Sequence, residues 1–252
     1  MTTDLTRDAF LDGRLNIWQP ARGYRAGVDP VFLAASVLAH PGQSVLELGC
    51  GVGVASLCLQ KRVGGLRITG LELQADYADL ARRNADDNGL EMVVETGDLQ
   101  DMPATLRAQS FDHVIANPPY FQRARGTPAG NTGRDLALAG DTSLDRWIDA
   151  AVRRLAPKGR LTVIQKADRL PDLLSACDAR VGNLRVLPLA SRIGRPADRV
   201  ILQAQKGARG AFRLLPAVVL HDGDRHERDG ESYTPAIDAI LRKGAEFKVD
   251  WR

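Results

Sequence analysis

The sequence predicts an α/β chain built on a seven-stranded, mostly parallel sheet with helices on both faces. Three observations carry that reading. Short β-branched and apolar runs alternate with segments of helical periodicity. Several of these runs end at glycine or proline. No internal repeat, low-complexity tract or linker interrupts the series. The 252 residues, with 44% hydrophobic and 26% charged side chains, support a sizeable core and exclude a disordered chain.

The elements follow in order. A lead over 1–43 includes a helix, Val31–His40, for which Asp29 is read as the N-cap and Pro30 as the first helical residue. Ser44–Leu48 reads as a buried strand and Val52–Val63 as the helix after it. Leu66–Leu71 is a second strand. Gln74–Asn88 is a second helix, stopped at Asn88-Gly89. Met92–Glu95 and Phe111–Ala116 are strands three and four. Leu144–Leu155 is amphipathic and ends before Pro157-Lys158-Gly159. Leu161–Gln165 is strand five, Arg169–Ala179 a helix with Pro171 near its start, and Leu184–Leu189 and Arg199–Ala204 the last two strands. Beyond them lie an apolar run, Phe212–Leu220, a polar turn, His221–Gly230, and a short helix, Pro235–Lys243. Lead and tail are each too small to fold alone, so the expectation is one domain over 1–252.

Several classes are excluded by composition. No apolar run reaches the roughly 20 residues of a membrane helix, and Met1–Arg7 lacks a basic-then-apolar leader profile. Cys50, Cys58 and Cys177 are scattered without CxxC spacing, which fits buried thiols in a reducing cytoplasm, with no metal site. The net charge of +3 hides a partition: residues 45–120 carry 6 basic and 11 acidic side chains, and residues 180–252 carry 14 and 9. An acidic centre beside a basic half suits a small-molecule site joined to a nucleic-acid face. An arginine-rich genome would give the same excess, since 28 of the 34 basic residues are Arg.

Chemistry concentrates after the strands. Glu47-Leu-Gly49-Cys-Gly51-Val-Gly53 follows strand one and opens a helix. Its GxGxG spacing differs from the GxGxxG of dinucleotide sites, and the Glu47 carboxylate argues against a pyrophosphate. A cation or a sulfonium-bearing amino acid suits it better. Glu72, at the tip of strand two, can accept both hydroxyls of a ribose, and Asp98, after strand three, can meet an adenine amino group. This ordered set resembles the Rossmann-like class I S-adenosylmethionine-dependent methyltransferases over about residues 44–205. The resemblance implies S-adenosyl-L-methionine as cofactor, held by Asp29, Glu47, Gly49, Gly51, Gly53, Glu72, Leu73, Asp98, Leu99 and Asn117.

Strand four ends in Asn117-Pro118-Pro119-Tyr120. Two prolines fix the chain as it leaves the sheet. The Asn117 amide oxygen and the Pro118 carbonyl then form a pair of acceptors matched to the two N–H groups of a planar amine, and Tyr120 offers a stacking face. In this position the motif resembles amino-methyltransferases acting on adenine N6, cytosine N4 or glutamine N5. The lead, Ile17-Trp-Gln-Pro and Gly23–Ala34, with tail segments around Arg199–Ala204 and Leu215–His221, resembles the tRNA1(Val) (adenine(37)-N6)-methyltransferase family. That resemblance implies a lead folding over the cofactor and a tRNA anticodon stem-loop as substrate. Arg123, Arg125, Arg134, Arg192 and Arg195 are then candidates for phosphate contact. Ala139-Gly140-Asp141 departs from the His-Glu pair usual there. Protein glutamine N5, rRNA amines and a non-catalytic nucleic-acid-binding module stand as rival readings.

Overall fold

A computed structural model describes residues 4–120, 142–223 and 232–251. In chain order the strands are β1 (Leu5–Phe10), β2 (Leu15–Pro20), β3 (Ser44–Leu48), β4 (Arg67–Glu72), β5 (Val93–Thr96), β6 (Phe111–Ala116), β7 (Leu155–Lys166), β8 (Val181–Ala190), β9 (Ala197–Lys206), β10 (Arg213–Leu214) and β11 (Val218–Val219). The α-helices are α1 (Asp29–Ser36), α2 (Val54–Val63), α3 (Ala75–Asp87), α4 (Ala104–Arg107), α5 (Leu144–Arg154), α6 (Leu170–Ala176) and α7 (Pro235–Lys243).

All seven expected strands are present and share one sheet, in the order β10-β8-β9-β7-β6-β3-β4-β5, with β11 also on β8. Among the described strands of this sheet, β9 alone runs antiparallel to its neighbours, β7 and β8. Among the described residues the sheet has nine strands where seven were expected. The two extra ones come from the apolar run Phe212–Leu220, in which Pro216 lacks the N–H that an unbroken ladder needs, leaving two short pieces parallel to β8.

Alternation along the central strands sends side chains to two faces. Ile115, Ile164 and Ile201 pack with α1, α2 and the tail, while Val114, Val163 and Leu202 pack with α5. The first cluster also takes Leu11, Leu15 and Ile17 from the lead and Ile237, Ile240, Phe247 and Trp251 from the tail.

The lead contains a hairpin the sequence reading did not anticipate. Charges in Leu5–Phe10 obscure its period of two, yet β1 pairs antiparallel with β2. It is fixed to α3 by two asparagines at i, i+4. Asn84 accepts from the Trp18 N–H (2.7 Å) and donates to the carbonyls of Trp18 (3.1 Å) and Val52 (3.0 Å), while Asn88 exchanges hydrogen bonds with the Asn16 backbone. Helix α1 is shorter than expected. The Arg62 guanidinium donates to Ala34 O (3.0 Å) and Val37 O (2.5 Å) at its C-terminal end. Val28, not Asp29, is its N-cap, and the Asp29 carboxylate caps nothing, being taken up elsewhere.

Candidate active site

Strands β3 and β6 lie side by side at the sheet centre, and from them the chain proceeds in opposite directions, to β4 and β5 on one side and to β7 on the other. At such a switch point the loops leaving the carboxyl ends diverge and open a crevice. The carboxyl ends of β3, β4, β5 and β6 carry the Gly49–Gly53 loop, Glu72, Gly97-Asp98 and Asn117. The expected cofactor residues and the Asn-Pro-Pro-Tyr segment therefore meet on one edge.

The glycine loop shows why small residues are needed. Gly49 (φ 63°) and Gly51 (φ 55°) are left-handed, a conformation L side chains rarely adopt. A Cβ at Gly49 would also come within 2.5 Å of the Trp147 ring on α5. Glu72 grips the loop: its carboxylate accepts from the N–H groups of Gly51 and Gln74, both at 2.9 Å. An ionised carboxylate keeps further acceptor sites, so these bonds leave capacity for hydroxyl donors. Burial raises the Glu72 pKa. Beside it Leu73 is 41% exposed, an apolar surface at the crevice. Asp98 is organised locally, accepting from Gln100 N–H at 2.8 Å, and Leu99 packs at the margin of the α5 core.

Glu47 has a structural duty that sequence alone did not reveal. One oxygen accepts from Ser56 N–H (3.0 Å) and Ser56 Oγ (2.5 Å), closing the first turn of α2. Full burial pushes its pKa up to about 8, against the lowering effect of Ser56. Tyr24, from the lead and 50% exposed, lies over Gly51.

The crevice thus gathers the carboxylates of Asp29, Glu47 and Glu72, all nearly inaccessible. Arg199, ion-paired with Asp29, is the cation beside them among the described contacts. Three carboxylates against one ion-paired guanidinium leave the site net negative, and it is open at Gly51, where a Cβ would have no neighbour closer than 4.0 Å. It suits a ligand that brings hydroxyls and cationic groups, so the residues present fit S-adenosylmethionine.

Asn117 and Tyr120 are partly exposed and Pro118 is buried. The Pro118 carbonyl accepts from Nε2 of Gln165, a fully buried residue of β7, at 3.3 Å, so one of its two lone pairs is engaged. The Tyr120 hydroxyl donates to Asp29 Oδ2, and the Lys166 ammonium stands 5.8 Å from the Tyr120 ring centroid. Gln165, Lys166 and Arg199 were not singled out from sequence. The usable signal for the first two was a polar pair, Gln165-Lys166, ending the buried run of β7; Arg199, near the start of β9, carried none.

The expected phosphate contacts divide. Arg123, Arg125 and Arg134, with Ala139-Gly140-Asp141, lie outside the described residues. Arg195 is exposed on the turn between β8 and β9, at the same sheet edge as Asn117. Arg192 is a correction. It is 7% exposed, and its guanidinium donates to the carbonyls of Asp222 and Gly223 and to Ser232 Oγ, so it braces the tail and presents no charge to a phosphate. Among the described residues, no helix is long and apolar enough to cross a membrane.

Comparison with known proteins agrees with this geometry. The family described as methyltransferase small domain matches residues 30–187. A tRNA1(Val) (adenine(37)-N6)-methyltransferase of Porphyromonas gingivalis is 32% identical, over 77% of this chain and 83% of the relative. A Dickeya chrysanthemi protein of the same name is 27% identical over 86% of each chain. Among solved structures, a predicted O-methyltransferase from Agrobacterium tumefaciens superposes with a TM-score of 0.70 at 24% identity, covering 87% of this chain and 98% of that one. That likeness speaks for the fold, a Rossmann-like class I methyltransferase. The chain belongs to the methyltransferase small domain family and, within it, to the tRNA1(Val) (adenine(37)-N6)-methyltransferases.

Proposed function

We propose that this protein is a cytoplasmic enzyme that methylates the exocyclic N6 of adenine 37 in the anticodon loop of tRNA1(Val), and that its lead and tail are parts of a single methyltransferase domain. The observation that carries the reading is the seating of Asn117-Pro-Pro-Tyr120 at the carboxyl end of β6, beside the glycine loop of β3. S-adenosylmethionine, when bound, supplies a methyl group on a positively charged sulfur. Glu72 would hold its ribose, Asp98 and the neighbouring Leu73 and Leu99 its adenine, and the Gly49–Gly53 loop its amino-acid end. Glu47 sets the start of α2 behind that loop.

The chain's own residues then act on the acceptor. The Asn117 amide oxygen and the free lone pair of the Pro118 carbonyl accept the two N–H groups of the amine. That aims the nitrogen lone pair across the crevice toward the glycine loop. Gln165, bonded to the other lone pair, keeps the carbonyl from rotating away. Tyr120 stacks on the base. An exocyclic amine needs no strong base when it attacks an alkylating cation, because the nitrogen becomes acidic once methylated and sheds its extra proton to water, so orientation supplies most of the acceleration. Arg195 and the arginines following Tyr120 would meet phosphates.

The test is nucleoside mass spectrometry of purified tRNA1(Val) incubated with the protein and cofactor. N6-methyladenosine should appear with wild type and vanish with Asn117→Ala, while calorimetry shows cofactor affinity within about threefold of wild type. Methylation surviving in Asn117→Ala, or no methylation by wild type, overturns the assignment.

A further inference from the structure

Tyr120 needs only its ring to stack on a base, yet its hydroxyl is also engaged. It donates to Asp29 Oδ2, and Asp29 Oδ1 lies 2.5 Å from Arg199 Nε. Three separate parts of the chain meet here: the first residue of α1, the end of the Asn-Pro-Pro-Tyr segment, and the start of β9. Arg199 pairs in register with Lys166, whose ammonium faces the Tyr120 ring. The Asp29 side chain is only 13% exposed and that of Arg199 33%, so this ion pair is largely removed from water. Taking two charges out of water costs free energy that Coulomb attraction alone often fails to recover. Asp29 Oδ2 accepts from Tyr120 and Oδ1 is ion-paired with Arg199, and among the described contacts neither oxygen meets the glycine loop.

We propose that Asp29 and Arg199 are positioning residues that lock the Tyr120 ring at one angle, so that the acceptor base meets a stacking face already in place. This rests on the reading of Tyr120 as the stacking residue. A tyrosine held only by the loop would lose rotamer freedom when the base arrives, and ordering it beforehand removes that cost from the reactive complex. The lead then serves the acceptor side of the crevice. Asp29 acts through Tyr120, whereas the sequence reading placed it against the cofactor.

The experiment uses full-length protein labelled with 3-fluorotyrosine. The chain has four tyrosines, and the Tyr120 ¹⁹F resonance is assigned by its loss in Tyr120→Phe. Asp29→Asn and Arg199→Gln should each shift and narrow that resonance, and Arg199→Lys, which keeps the charge, should move it less. On tRNA, Tyr120→Phe and Asp29→Asn should each lower kcat about tenfold, the scale of one hydrogen bond to a charged group. The double variant should be no slower than the worse single one, because both remove the same contact. S-adenosylmethionine affinity should stay within about twofold. A Tyr120 resonance unmoved by Asp29→Asn, multiplicative losses in the double variant, or a tenfold loss of cofactor affinity in Asp29→Asn each overturns the lock. Wild type failing to methylate RNA would sink the stacking reading alone, and the ¹⁹F shifts would still decide whether the lock exists.

Discussion

Gly49 and Gly51 sit two residues apart in one loop with nearly the same backbone angle, yet Gly49→Ala and Gly51→Ala should differ sharply. Each alanine must adopt a left-handed conformation, at φ 63° and 55° respectively, for about 1–2 kcal/mol. At Gly51 the nearest heavy atom to the new methyl is Tyr24 Cε1 at 4.0 Å, so little is added. At Gly49 the methyl would lie 2.5 Å from Trp147 Cη2 and 3.1 Å from Cζ3. Trp147 is buried in the α5 core and cannot swing aside. Overpacking of this kind adds about 1–3 kcal/mol. The totals are about 2–5 kcal/mol for Gly49→Ala against about 1–2 for Gly51→Ala. Thermal melting followed by circular dichroism reads the difference, since a chain this size loses about 2–4 °C per kcal/mol. Gly49→Ala should therefore melt several degrees below Gly51→Ala. In a Trp147→Leu background the gap should close, because the obstructing ring is gone. Equal melting temperatures, or a gap that persists without the indole, would refute the steric reasoning.

Three further outcomes follow from the same geometry. Glu72→Ala removes the acceptor of the Gly51 and Gln74 N–H groups and the proposed ribose ligand; calorimetry should show S-adenosylmethionine affinity reduced at least about 100-fold, two lost charged hydrogen bonds. His113, buried on β6 and bonded to Gln43 Oε1, has its pKa lowered to about 4 by burial, with Arg160 and His40 adding and Asp112 opposing. The unfolded chain protonates it near 6.5. Stability should thus fall as pH drops from 6.5 to 4, by up to about 3 kcal/mol from this group. The raised pKa of Glu47 works in the opposite sense as pH rises from 4.5 toward 8, so the His113 contribution is read as wild type minus His113→Gln. A variant whose pH profile parallels wild type would reject it. Arg192→Ala should lower the melting temperature by several degrees, through about 2 kcal/mol of lost buried hydrogen bonds, and leave the salt dependence of tRNA binding unchanged. Arg195→Ala should leave stability alone and reduce the slope of log affinity against log salt by about one.

Local signals were sufficient for the parallel core and for most of the crevice. The strands ending before Gly49 and Asn117-Pro118 and the helix stopped at Asn88-Gly89 carry their own start and stop information, and α7 occupies the span its Thr234-Pro235 start and Gly244 end dictate. The β1–β2 hairpin was hidden because charged residues break its alternation, and its partner, α3, holds it through Asn84 and Asn88 from some 66 to 72 positions away. The roles of Glu47, Arg192 and Asp29 were misplaced or incomplete for one reason. A charged side chain's type shows what it can bind, and only its neighbours show what it does bind.

By itself, then, the order of residues determined the strand-and-helix alternation, the glycine loop, Glu72 and Asp98 at strand tips, and the Asn-Pro-Pro-Tyr exit from β6. These depend on backbone conformation and spacing within a few residues, where the chain's own sterics decide. Tertiary structure alone decided that Trp147 forbids a side chain at Gly49, that Gln165 holds the Pro118 carbonyl, that Arg192 braces the tail, and that Asp29 and Arg199 converge on Tyr120. Each of those joins residues tens of positions apart, up to 170 for Asp29 and Arg199. Such pairings form only once the sheet has brought its strand ends to a common edge, and no local preference encodes them.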